Sequence, residues 1–593
     1  MRFQKNCLMT NYGKIPDTKH FLPTTKKELE WLGWDYVDVV IISGDAYVDH
    51  PSFGPAVIGR WLERLGLRVA MLPQPNWQDD GRDFTKLGKP RLFFGISAGN
   101  MDSMVNHYTA AKRLRHDDAY TPGNQHGFRP DYATIVYTKM VKKFFPDTPV
   151  VIGGIEASLR RLSHYDYWSD SLKPSILMDC PADVLVYGMG EKPMADLVRI
   201  FQGEDWKSHL QECSQIAFLT DEPKKYCNVS EALVLHPFEK ELSNKRFYGE
   251  NFVAFETESN KKVQRTVIQP YNKRSLVIYP PYPPATEEEM DHFALFNSMM
   301  NAPHPKYAKR GEIPAWTMIQ NSITIHRGCF GGCSFCAITA HQGRFVSSRS
   351  EKSVLAEAED LAQRPYFKGH ITDLGAPSAN MYEMRGRNQE ICAKCAKPSC
   401  IYPNICKNLI INHKPLISLY RKAAAIAGVK HITIGSGIRY DLLIADEKTD
   451  RENGLTEYLT DVIRHHVSGR LKVAPEHTVP KVLCKMRKPN FNIFNTFNQK
   501  FQRITSECKL RLQLVPYFIS AHPACTLDDM KSLHKTVQNQ HLHIEPVQDF
   551  TPTPMTYSTA MYYLGYDPYT GEKVFSAKSR GEKEKQKSCF FHS

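Results

Sequence analysis

The sequence predicts two α/β units: an N-terminal doubly wound parallel sheet, followed by a partial or full (β/α) barrel. Short apolar runs that end in small residues alternate with helical segments along most of the chain, which is typical of parallel sheets. This series breaks once, at a proline-rich run over 281–284 and a Thr286-x-x-Glu289 capping box, which indicate a linker leading into a new helix. The length of 593 residues also exceeds what one ordinary core covers.

The break divides the chain into four parts. We expect an N-terminal α/β domain over 1–280, a linker over 281–310, a barrel over 311–540 and a C-terminal extension with a basic tail over 541–593. A cysteine-rich insertion over 385–410 separates two of the barrel strands.

The first unit contains buried-strand runs, and the first of them is followed by a polar turn and a helical segment at 56–66 that ends in glycine. In a doubly wound sheet ligands bind at the carboxyl ends of the strands, so a ligand is expected near the glycine-rich turns. The predicted strands lie at 36–44, 67–72, 91–97, 148–154 and 182–188.

The second unit repeats the alternation, and the chemistry of a (β/α) barrel lies at the carboxyl ends of its strands. Its predicted helices lie at 353–364, 416–428 and 455–466. Its predicted strands lie at 322–328, 370–375, 431–437, 470–476 and 511–520.

Composition places the chain among globular proteins, with 42% hydrophobic and 23% charged residues. No apolar run reaches the roughly 18 residues of a membrane span, and residues 1–14 lack the apolar region of a secretory signal. We therefore expect a cytoplasmic protein without a membrane partner. Its 15 cysteines then favour metal sites or catalysis over disulfides.

Charge is less informative. The net charge of +13 allows an acidic partner such as RNA, but it is spread over a long chain. The only dense basic stretch, Lys573 to Lys587, alternates with glutamates and predicts a solvated helix face or a frayed terminus.

The residues with the clearest chemistry are Cys329, Cys333 and Cys336, which follow the first strand of the barrel on a loop with two glycines. Thiolates at this density suit zinc or an iron–sulfur cluster. A structural zinc site needs four ligands, and only His326 and His341 flank the motif. Three thiolates on a 4Fe–4S cluster leave one iron open for catalysis, which favours the cluster.

The CxxxCxxC spacing, with Phe335 before the last cysteine, resembles the signature of the radical S-adenosylmethionine (SAM) superfamily. The resemblance implies that the open iron binds SAM and that its reductive cleavage gives methionine and a 5′-deoxyadenosyl radical. It also implies a reductant such as flavodoxin or ferredoxin.

The same resemblance implies SAM contacts at the ends of further barrel strands, besides Phe335. Glu476 is the best placed candidate for a catalytic acid or base. The expected contacts are Asp373, Gly375, Ala376 and Pro377 after the second strand, and Ser436 and Arg439 after the third.

Beyond the superfamily, the chain resembles the YgiQ family of the radical SAM class almost from end to end. That family has no settled reaction, so the resemblance implies the cofactors without a substrate. It rests on the segments 44–54, 150–161, 329–336, 373–382, 471–477 and 547–563.

The N-terminal unit resembles the cobalamin-binding domain that precedes many radical SAM barrels. The usual cobalt-ligand signature is DxHxxG, whereas here His50 directly follows Asp49. This departure favours a loop histidine over a cobalt ligand, and cobalamin is a doubtful cofactor.

A second group, Cys392, Cys395, Cys400 and Cys406, lies within the insertion. Four thiols in fifteen residues can close a zinc site or hold an auxiliary 4Fe–4S cluster. The sequence leaves the identity of this metal open.

Three functions follow from these motifs. The leading hypothesis is a radical SAM enzyme acting on an unknown substrate. The second is a methylthiotransferase or methyltransferase acting on RNA or protein. The third, of a different class, is a metal-stabilised nucleic-acid-binding or regulatory protein without turnover.

Overall fold

The N-terminal unit is built on a nine-stranded mixed sheet in the computed structural model, which describes residues 20–590. Its central strands are rich in Val, Ile and Phe and are buried, as parallel strands covered by helices on both faces must be. The strands that follow the first in the chain lie on both sides of it, which is the doubly wound arrangement predicted from the sequence. In spatial order the five parallel strands are Val69–Pro73, Val39–Ser43, Phe93–Ser97, Val150–Gly153 and Val184–Val186.

The other half of this sheet was not predicted from the sequence. Ile216–Thr220 pairs antiparallel with Val184–Val186, Arg274–Ile278 pairs antiparallel with Ile216–Thr220, and Val267–Tyr271 forms a hairpin with Arg274–Ile278. Leu233–Val234 forms the edge. Two short antiparallel pairs lie outside the sheet: His164–Asp166 with Ser171–Lys173, and Val48–Asp49 with Ala302–Pro303 of the linker.

Helices on the two faces of the sheet enclose two separate hydrophobic cores. Trp61, which is fully buried, ties two of the helices together, because its indole nitrogen donates to the carbonyl of Glu191 at 2.7 Å. The α-helices are Lys26–Trp31, Gly54–Arg64, Arg82–Thr85, Ser103–His107, Ala133–Phe144, Gly154–Leu159, Ile176–Asp179, Glu191–Phe201, Phe238–Ser243 and Lys245–Ser259, and the 3₁₀ turns are Pro122–Asn124, Trp206–Glu212 and Pro223–Lys225.

The predicted capping box of the linker is confirmed. The Thr286 hydroxyl accepts from the Glu289 amide at 3.2 Å, and the Glu289 carboxylate accepts from the Thr286 amide at 2.8 Å. These bonds satisfy amides at the start of the helix Glu287–Phe293. The linker continues through Phe296–Ser298 and Pro305–Tyr307, and the helix Pro314–Ile319 follows it.

The second unit is a partial barrel whose strands pair in parallel. Ser322–Thr324 pairs with Asp373–Gly375, His370–Ile371 pairs with His431–Ile432, and the long strand Gln513–Ser520 lies between Arg470–Glu476 and Gln548–Asp549. Among the described residues the first and last of these strands do not pair with each other, so the barrel is open. A short antiparallel pair, His326–Arg327 with Ser347–Ser348, frames the cysteine motif.

One continuous core joins the barrel strands to their helices. The helices are Ile338–Gln342, Glu351–Ala362, Gln389–Lys394, Lys414–Ala424, Glu447–Asn453, Leu455–Asp461, Pro480–Met486, Phe491–Glu507 and Leu527–Asn539, with 3₁₀ turns at Ala379–Met381 and Tyr440–Leu443 and a π-helical turn at Val462–His466. The strand predicted over 431–437 ends at Ile432, because the residues that follow it form a loop bound to Asp373.

The C-terminal extension contains the helices Tyr557–Leu564 and Arg580–Ser588. The second of these is a helix with a solvated face, which is one of the two predicted alternatives, and it is not frayed; its other face is docked. Lys583 is buried and donates to the Tyr167 hydroxyl at 2.5 Å. Gln586 donates to the Cys525 carbonyl and accepts from the Ala521 amide, both at 2.8 Å.

No helix within residues 20–590 is long and apolar enough to cross a membrane. The prediction about a secretory signal concerns residues 1–14, which lie outside the described residues.

Candidate functional site

The three motif cysteines lie on one loop, residues 329–336, which we call the cluster loop. It begins after the strand His326–Arg327 and ends just before the helix Ile338–Gln342. Two N–H groups point at its sulfur atoms: the Gly331 amide donates to Cys329 Sγ and Arg439 Nη1 donates to Cys333 Sγ, each at 3.4 Å. Donors of this kind stabilise ligated thiolates in iron–sulfur sites, so the donor set fits such a cluster.

The three thiols also influence one another. Burial raises the pKa of the Cys329 thiol, and the neighbouring Cys333 adds to that rise. Burial raises the pKa of Cys336 to about 12, with further contributions from Cys333, Cys329 and Glu476. Three thiolates this close repel each other unless a positive charge lies among them, and a bound metal supplies that charge.

Gly332 is a glycine because the loop passes very close to a neighbouring segment. Its φ is +62°, and a Cβ there would collide with the carbonyl oxygen of Pro398. Any other residue would have to adopt a left-handed conformation and also push the loop outward.

The residues predicted at the second and third barrel strands meet as expected. Asp373 Oδ1 accepts from the amides of Gly435 and Ser436 at 2.9 and 3.1 Å, and from the Ser436 hydroxyl at 3.0 Å. The Ser436 hydroxyl lies so close to Gly375 that a Cβ there would collide with it. Burial raises the pKa of Asp373, while these hydrogen bonds oppose the rise.

The segment after Asp373 then runs to the cluster loop. Ala376 and Pro377 are half-buried, and Ser378 Oγ lies 4.0 Å from Cys329 Sγ. The carbonyl of Ser378 lies 3.0 Å from Nε2 of His326, one of the two histidines that flank the motif. The other, His341, contacts Ser158 of the N-terminal unit through Nδ1 at 3.0 Å.

Arg439 is placed differently from the expected SAM contact. Its guanidinium forms a double contact with Asp441, at 2.9 and 2.6 Å, and directs its remaining Nη1 to Cys333. Asn380, fully buried, holds the Arg439 backbone by accepting from its amide at 2.7 Å and donating to its carbonyl at 3.0 Å. Neither Asn380 nor Asp441 was predicted from the sequence, although the spacing of Arg439 and Asp441 was a local signal.

Glu476 ends its strand in a strained conformation, with φ +70° at a break in the pairing register. It is buried, and Lys488 Nζ lies 3.6 Å from its Oε1. Burial raises the pKa of Glu476 against the opposing charges of Lys488 and Arg439. The negative charge of Glu476 adds to the raised pKa of Cys336.

The C-terminal extension clamps the cluster loop, a contact that was not predicted from the sequence. The Ser334 and Ser558 hydroxyls lie 2.7 Å apart, and the Ser558 amide donates to the Ser334 carbonyl at 2.9 Å. His522 Nε2 lies 2.7 Å from the same Ser558 hydroxyl, and the His522 ring packs edge-on against Phe335. Phe335 is thus part of the support of the loop.

The second cysteine group packs directly on the cluster loop. The Cys400 amide donates to the Phe330 carbonyl at 3.0 Å, and the Ser399 hydroxyl donates to the Gly331 carbonyl at 2.8 Å. The Cys395 and Cys400 sulfurs share the Nη2 of Arg344, at 3.6 and 3.9 Å.

Among the described residues, no three His, Cys, Asp or Glu side chains are arranged to hold one metal ion. This applies equally to the cluster loop and to the second cysteine group. In a four-iron cluster each protein ligand binds a different iron atom, so the ligands need not converge on one point as they must for a single ion.

His50 and Asp49 are both committed to contacts within the chain. Asp49 binds Arg60 through two contacts of 3.0 and 2.5 Å. His50 accepts from the Ser52 amide at 3.1 Å and packs edge-on against Trp316, and burial lowers its pKa to about 3. The geometry agrees with the expectation that His50 is a loop histidine.

The crevice at the switch point of the doubly wound sheet is filled by the chain itself. Arg129, fully buried, pairs with Asp45 at 2.9 Å and Asp118 at 3.2 Å, and donates to the Ala98 carbonyl at 2.5 Å. A Cβ on Gly99 would collide with the Asp45 carboxylate. The residues at this crevice therefore do not fit a large cofactor such as cobalamin.

Comparison with known proteins gives the family. The model described as radical SAM N-terminal matches residues 21–322. A UPF0313 protein of Bacteroides thetaiotaomicron is 53% identical over 582 residues, which cover 96% of this chain and 94% of the relative. The chain belongs to the UPF0313 family. A second relative, the UPF0313 protein GSU2873 of Geobacter sulfurreducens, is 45% identical over 570 residues, covering 96% of this chain and 91% of the relative.

Two solved structures are similar at low identity. TsrM from Kitasatospora setae, a radical SAM methyltransferase with cobalamin and a [4Fe-4S] cluster bound, is 12% identical, with a TM-score of 0.47 and coverage of 93% of this chain and 90% of that one. The cobalamin-dependent SAM radical enzyme OxsB is 10% identical, with a TM-score of 0.46 and coverage of 91% and 57%.

The family assignment confirms the predicted class. This UPF0313 member is a radical SAM enzyme, as the sequence motifs indicated. The family assignment therefore does not support the third hypothesis, a nucleic-acid-binding or regulatory protein without catalytic activity. The names of the relatives specify neither the reaction nor the substrate.

Proposed function

We propose that Cys329, Cys333 and Cys336 bind a 4Fe–4S cluster with which the enzyme cleaves SAM reductively. The observation that carries this proposal is the cluster loop itself, which places three interacting thiols at the barrel mouth with N–H donors from Gly331 and Arg439. Three thiolates would leave one iron of a four-iron cluster without a protein ligand, and SAM would bind at that iron.

When bound, the cluster supplies one electron that breaks the sulfonium carbon–sulfur bond of SAM, giving methionine and a 5′-deoxyadenosyl radical that takes a hydrogen atom from the substrate. The electron comes from a small reductant such as flavodoxin or ferredoxin. The chain contributes by holding SAM and the substrate in one orientation and by keeping water away from the site.

Asp373 and Ser436, with the segment Gly375–Pro377, are the residues we assign to SAM. They lie at the carboxyl ends of adjacent strands, where ligands of (β/α) barrels bind. The carboxylate and hydroxyl suit a positively charged amino group or a ribose hydroxyl.

Arg439 has a different role in this proposal from the ribose or carboxylate contact expected from the sequence. Because Asp441 engages two of its three guanidinium nitrogens, the third is directed to Cys333. We assign Arg439 to stabilising the negative charge of the cluster thiolates, with Asp441 and Asn380 as positioning residues.

Glu476 remains our candidate for the catalytic acid or base. Burial favours its neutral form, its charge adds to the raised pKa of Cys336, and its backbone conformation is strained. A carboxyl group with a raised pKa is suited to donating a proton or a hydrogen bond near neutral pH.

We also propose a metal at Cys392, Cys395, Cys400 and Cys406. Burial raises the pKa of Cys400 to about 11, and the other three thiols add to the rise. Arg344 supplies a positive charge to Cys395 and Cys400. Contact with the cluster loop favours an auxiliary 4Fe–4S cluster over zinc, because a cluster beside the radical site would be able to relay electrons to it or donate sulfur to the substrate, and zinc would not.

The contact between the second cysteine group and the cluster loop also supports a second candidate reaction. Methylthiolation, or methylation, of RNA or protein would use a sulfur or methyl donor close to the radical site, and a net charge of +13 suits RNA. Counting iron and zinc per chain in native protein and in Cys395→Ala separates the two metals. Loss of zinc alone would contradict the auxiliary cluster and, with it, sulfur donation.

Cobalamin is not part of the proposal. Arg129, Asp45 and Asp118 fill the crevice at the switch point of the sheet, and His50 packs against Trp316. The native chain should not retain added hydroxocobalamin through gel filtration. Retention in a one-to-one ratio would contradict this interpretation of the crevice.

The test of the proposed function is anaerobic reconstitution with iron and sulfide, followed by dithionite and SAM. Native protein should hold the cluster and form 5′-deoxyadenosine, whereas Cys329→Ala should lose both. Cys508→Ala is the matched control, because Cys508 lies beyond both cysteine groups, at the end of the helix Phe491–Glu507. Equal product from Cys329→Ala would refute the proposal.

A further inference from the structure

A cavity of about 240 Å³ lies between the N-terminal unit and the two cysteine loops. The turn after Val184–Val186, the helix Lys245–Ser259 and the proline-rich linker form one side, and residues 332–345 with Pro398 form the other. Cys333 and Cys336 reach its wall. Its described lining residues include none of those assigned to SAM, namely Asp373, Gly375, Ala376, Pro377 and Ser436, so it is separate from the space that these residues surround.

Arg161 contributes an unneutralised positive charge to this cavity. It is 4% exposed, donates Nη1 to the Ser158 carbonyl at 2.5 Å, and packs on the rings of Tyr187 and Phe255, whose centroids lie 4.6 and 5.2 Å from its Cζ. Its Nε has no hydrogen-bond partner among the described residues. Burial lowers the pKa of Arg161 to about 10, so it still carries its charge at neutral pH.

Arg344 contributes a second charge. It is also 4% exposed, and its Nη2 contacts the Cys395 and Cys400 sulfurs. Its Nε and Nη1 have no hydrogen-bond partner within residues 20–590. One edge of this guanidinium thus faces the second cysteine group and the rest of its N–H groups are unused.

The other buried arginines of the described chain differ from Arg161 and Arg344. Each of them is paired with a carboxylate, because an unpaired charge in a protein interior is costly. The pairs are Arg60–Asp49, Arg129–Asp45, Arg160–Asp102, Arg349–Glu357, Arg439–Asp441 and Arg487–Glu256. Among the buried arginines of residues 20–590, only Arg161 and Arg344 lack such a partner, and both line the same cavity.

We propose that this cavity binds a small ligand carrying an oxyanion, either a phosphate or a carboxylate group, that Arg161 and Arg344 neutralise. Planar guanidinium groups recognise such anions through paired hydrogen bonds. The aromatic rings of Tyr187, Tyr248 and Phe255 also line the cavity and suit an apolar or flat body on the ligand. Three carboxyl groups line it too: those of Glu191 and Glu256 are paired with Arg327 and Arg487, and burial raises the pKa of Glu241, which favours its neutral form. The site goes beyond the proposed SAM cleavage and does not depend on it.

The test measures binding rather than turnover. Inorganic pyrophosphate and benzoate serve as the phosphate and carboxylate probes, titrated into the metal-loaded full chain under anaerobic conditions and followed by calorimetry and by the thermal unfolding midpoint. We expect at least one probe to bind and raise the midpoint. Arg161→Met should raise the Kd at least about tenfold, as losing a charge-assisted hydrogen bond does.

Two further variants separate ligand binding from structural support. Arg161→Met without a ligand should unfold at the same temperature as the native chain or higher, because an apolar side chain removes an unpaired buried charge. Arg161→Lys should bind more tightly than Arg161→Met. The control Arg274→Met, at an arginine that is exposed and faces Asp221, should bind as the native chain does.

Failure of both probes to bind the native chain would overturn the proposal. So would an Arg161→Met chain that binds as tightly as the native one. Cys329→Ala should lose 5′-deoxyadenosine formation and keep probe binding, so failure of the cluster proposal and failure of the anion site give different results.

Discussion

The buried carboxyl group of Glu241 should make the stability of the N-terminal unit depend on pH. Glu241 is fully buried, and its Oε1 accepts from Asn251 at 2.6 Å and from the Ser163 hydroxyl at 3.0 Å, while Oε2 accepts from Gln269 at 3.2 Å. Burial raises its pKa from 4.5 to about 7, and the negative charge of Glu239 adds to the rise. Within residues 20–590 no cation forms an ion pair with it.

Whether stability rises or falls with pH depends on whether the folded or the unfolded chain binds the Glu241 proton more tightly. A raised pKa means that the folded chain binds this proton more strongly than the unfolded chain between about pH 4.5 and 7. The contribution of Glu241 to stability is therefore complete below about pH 4.5 and declines as pH rises to about 7. At about 1.4 kcal/mol per pKa unit, the loss across this window is roughly 3 kcal/mol.

Glu241→Gln should abolish this decline. The glutamine keeps an acceptor for Asn251 and Ser163 and carries no charge. Urea midpoints measured from pH 5 to 8.5 should therefore fall with pH for the native chain and stay flatter for the variant, which should be the more stable of the two above pH 7. Glu250→Gln, at a half-exposed residue whose pKa is lowered by Arg246, is the control. An unchanged pH dependence in Glu241→Gln would show that this carboxyl group does not set the decline.

Three other changes have defined outcomes. Glu256→Gln should lower the urea midpoint by an amount equivalent to about 3–5 kcal/mol, because it leaves buried Arg487 without the carboxylate that it contacts at 2.7 and 2.9 Å; an unchanged midpoint would contradict this. Gly332→Ala should reduce iron bound per chain without unfolding the protein, since a Cβ there collides with Pro398; full iron loading would show that the close approach is dispensable. Ser558→Ala should cost about 1–3 kcal/mol and lower the yield of 5′-deoxyadenosine, because it removes hydrogen bonds to the cluster loop; native stability and yield would argue against the clamp.

Local patterns in the sequence were sufficient to predict the parallel strands and the cluster loop. A buried parallel strand such as Val39–Ser43 is an uninterrupted apolar run, and the cysteine motif has all its ligands within eight residues. The antiparallel strands over 216–278 were missed for two reasons. Ile216–Thr220 pairs with segments far from it in the chain, and the two-residue turn of the hairpin, Asn272–Lys273, lacks the glycine typical of such turns.

Some contacts of the candidate site could likewise be predicted from the sequence, and others could not. Asp373 and Ser436 could be predicted to meet, since both follow adjacent parallel strands. The contact of Ser334 with Ser558 joins residues 224 positions apart. The missing carboxylate of Arg161 is a property of its folded surroundings and has no signal in the sequence.

SAM cleavage by a cluster on Cys329, Cys333 and Cys336 can be measured in a single turnover. The quantities are the amounts of methionine and 5′-deoxyadenosine released after one addition of dithionite to reconstituted native protein, with iron counted on the same sample. We expect equal amounts of both products from chains that hold the cluster, and neither product from Cys333→Ala. A native chain with four irons on the cluster loop that releases neither product would contradict the proposed reaction.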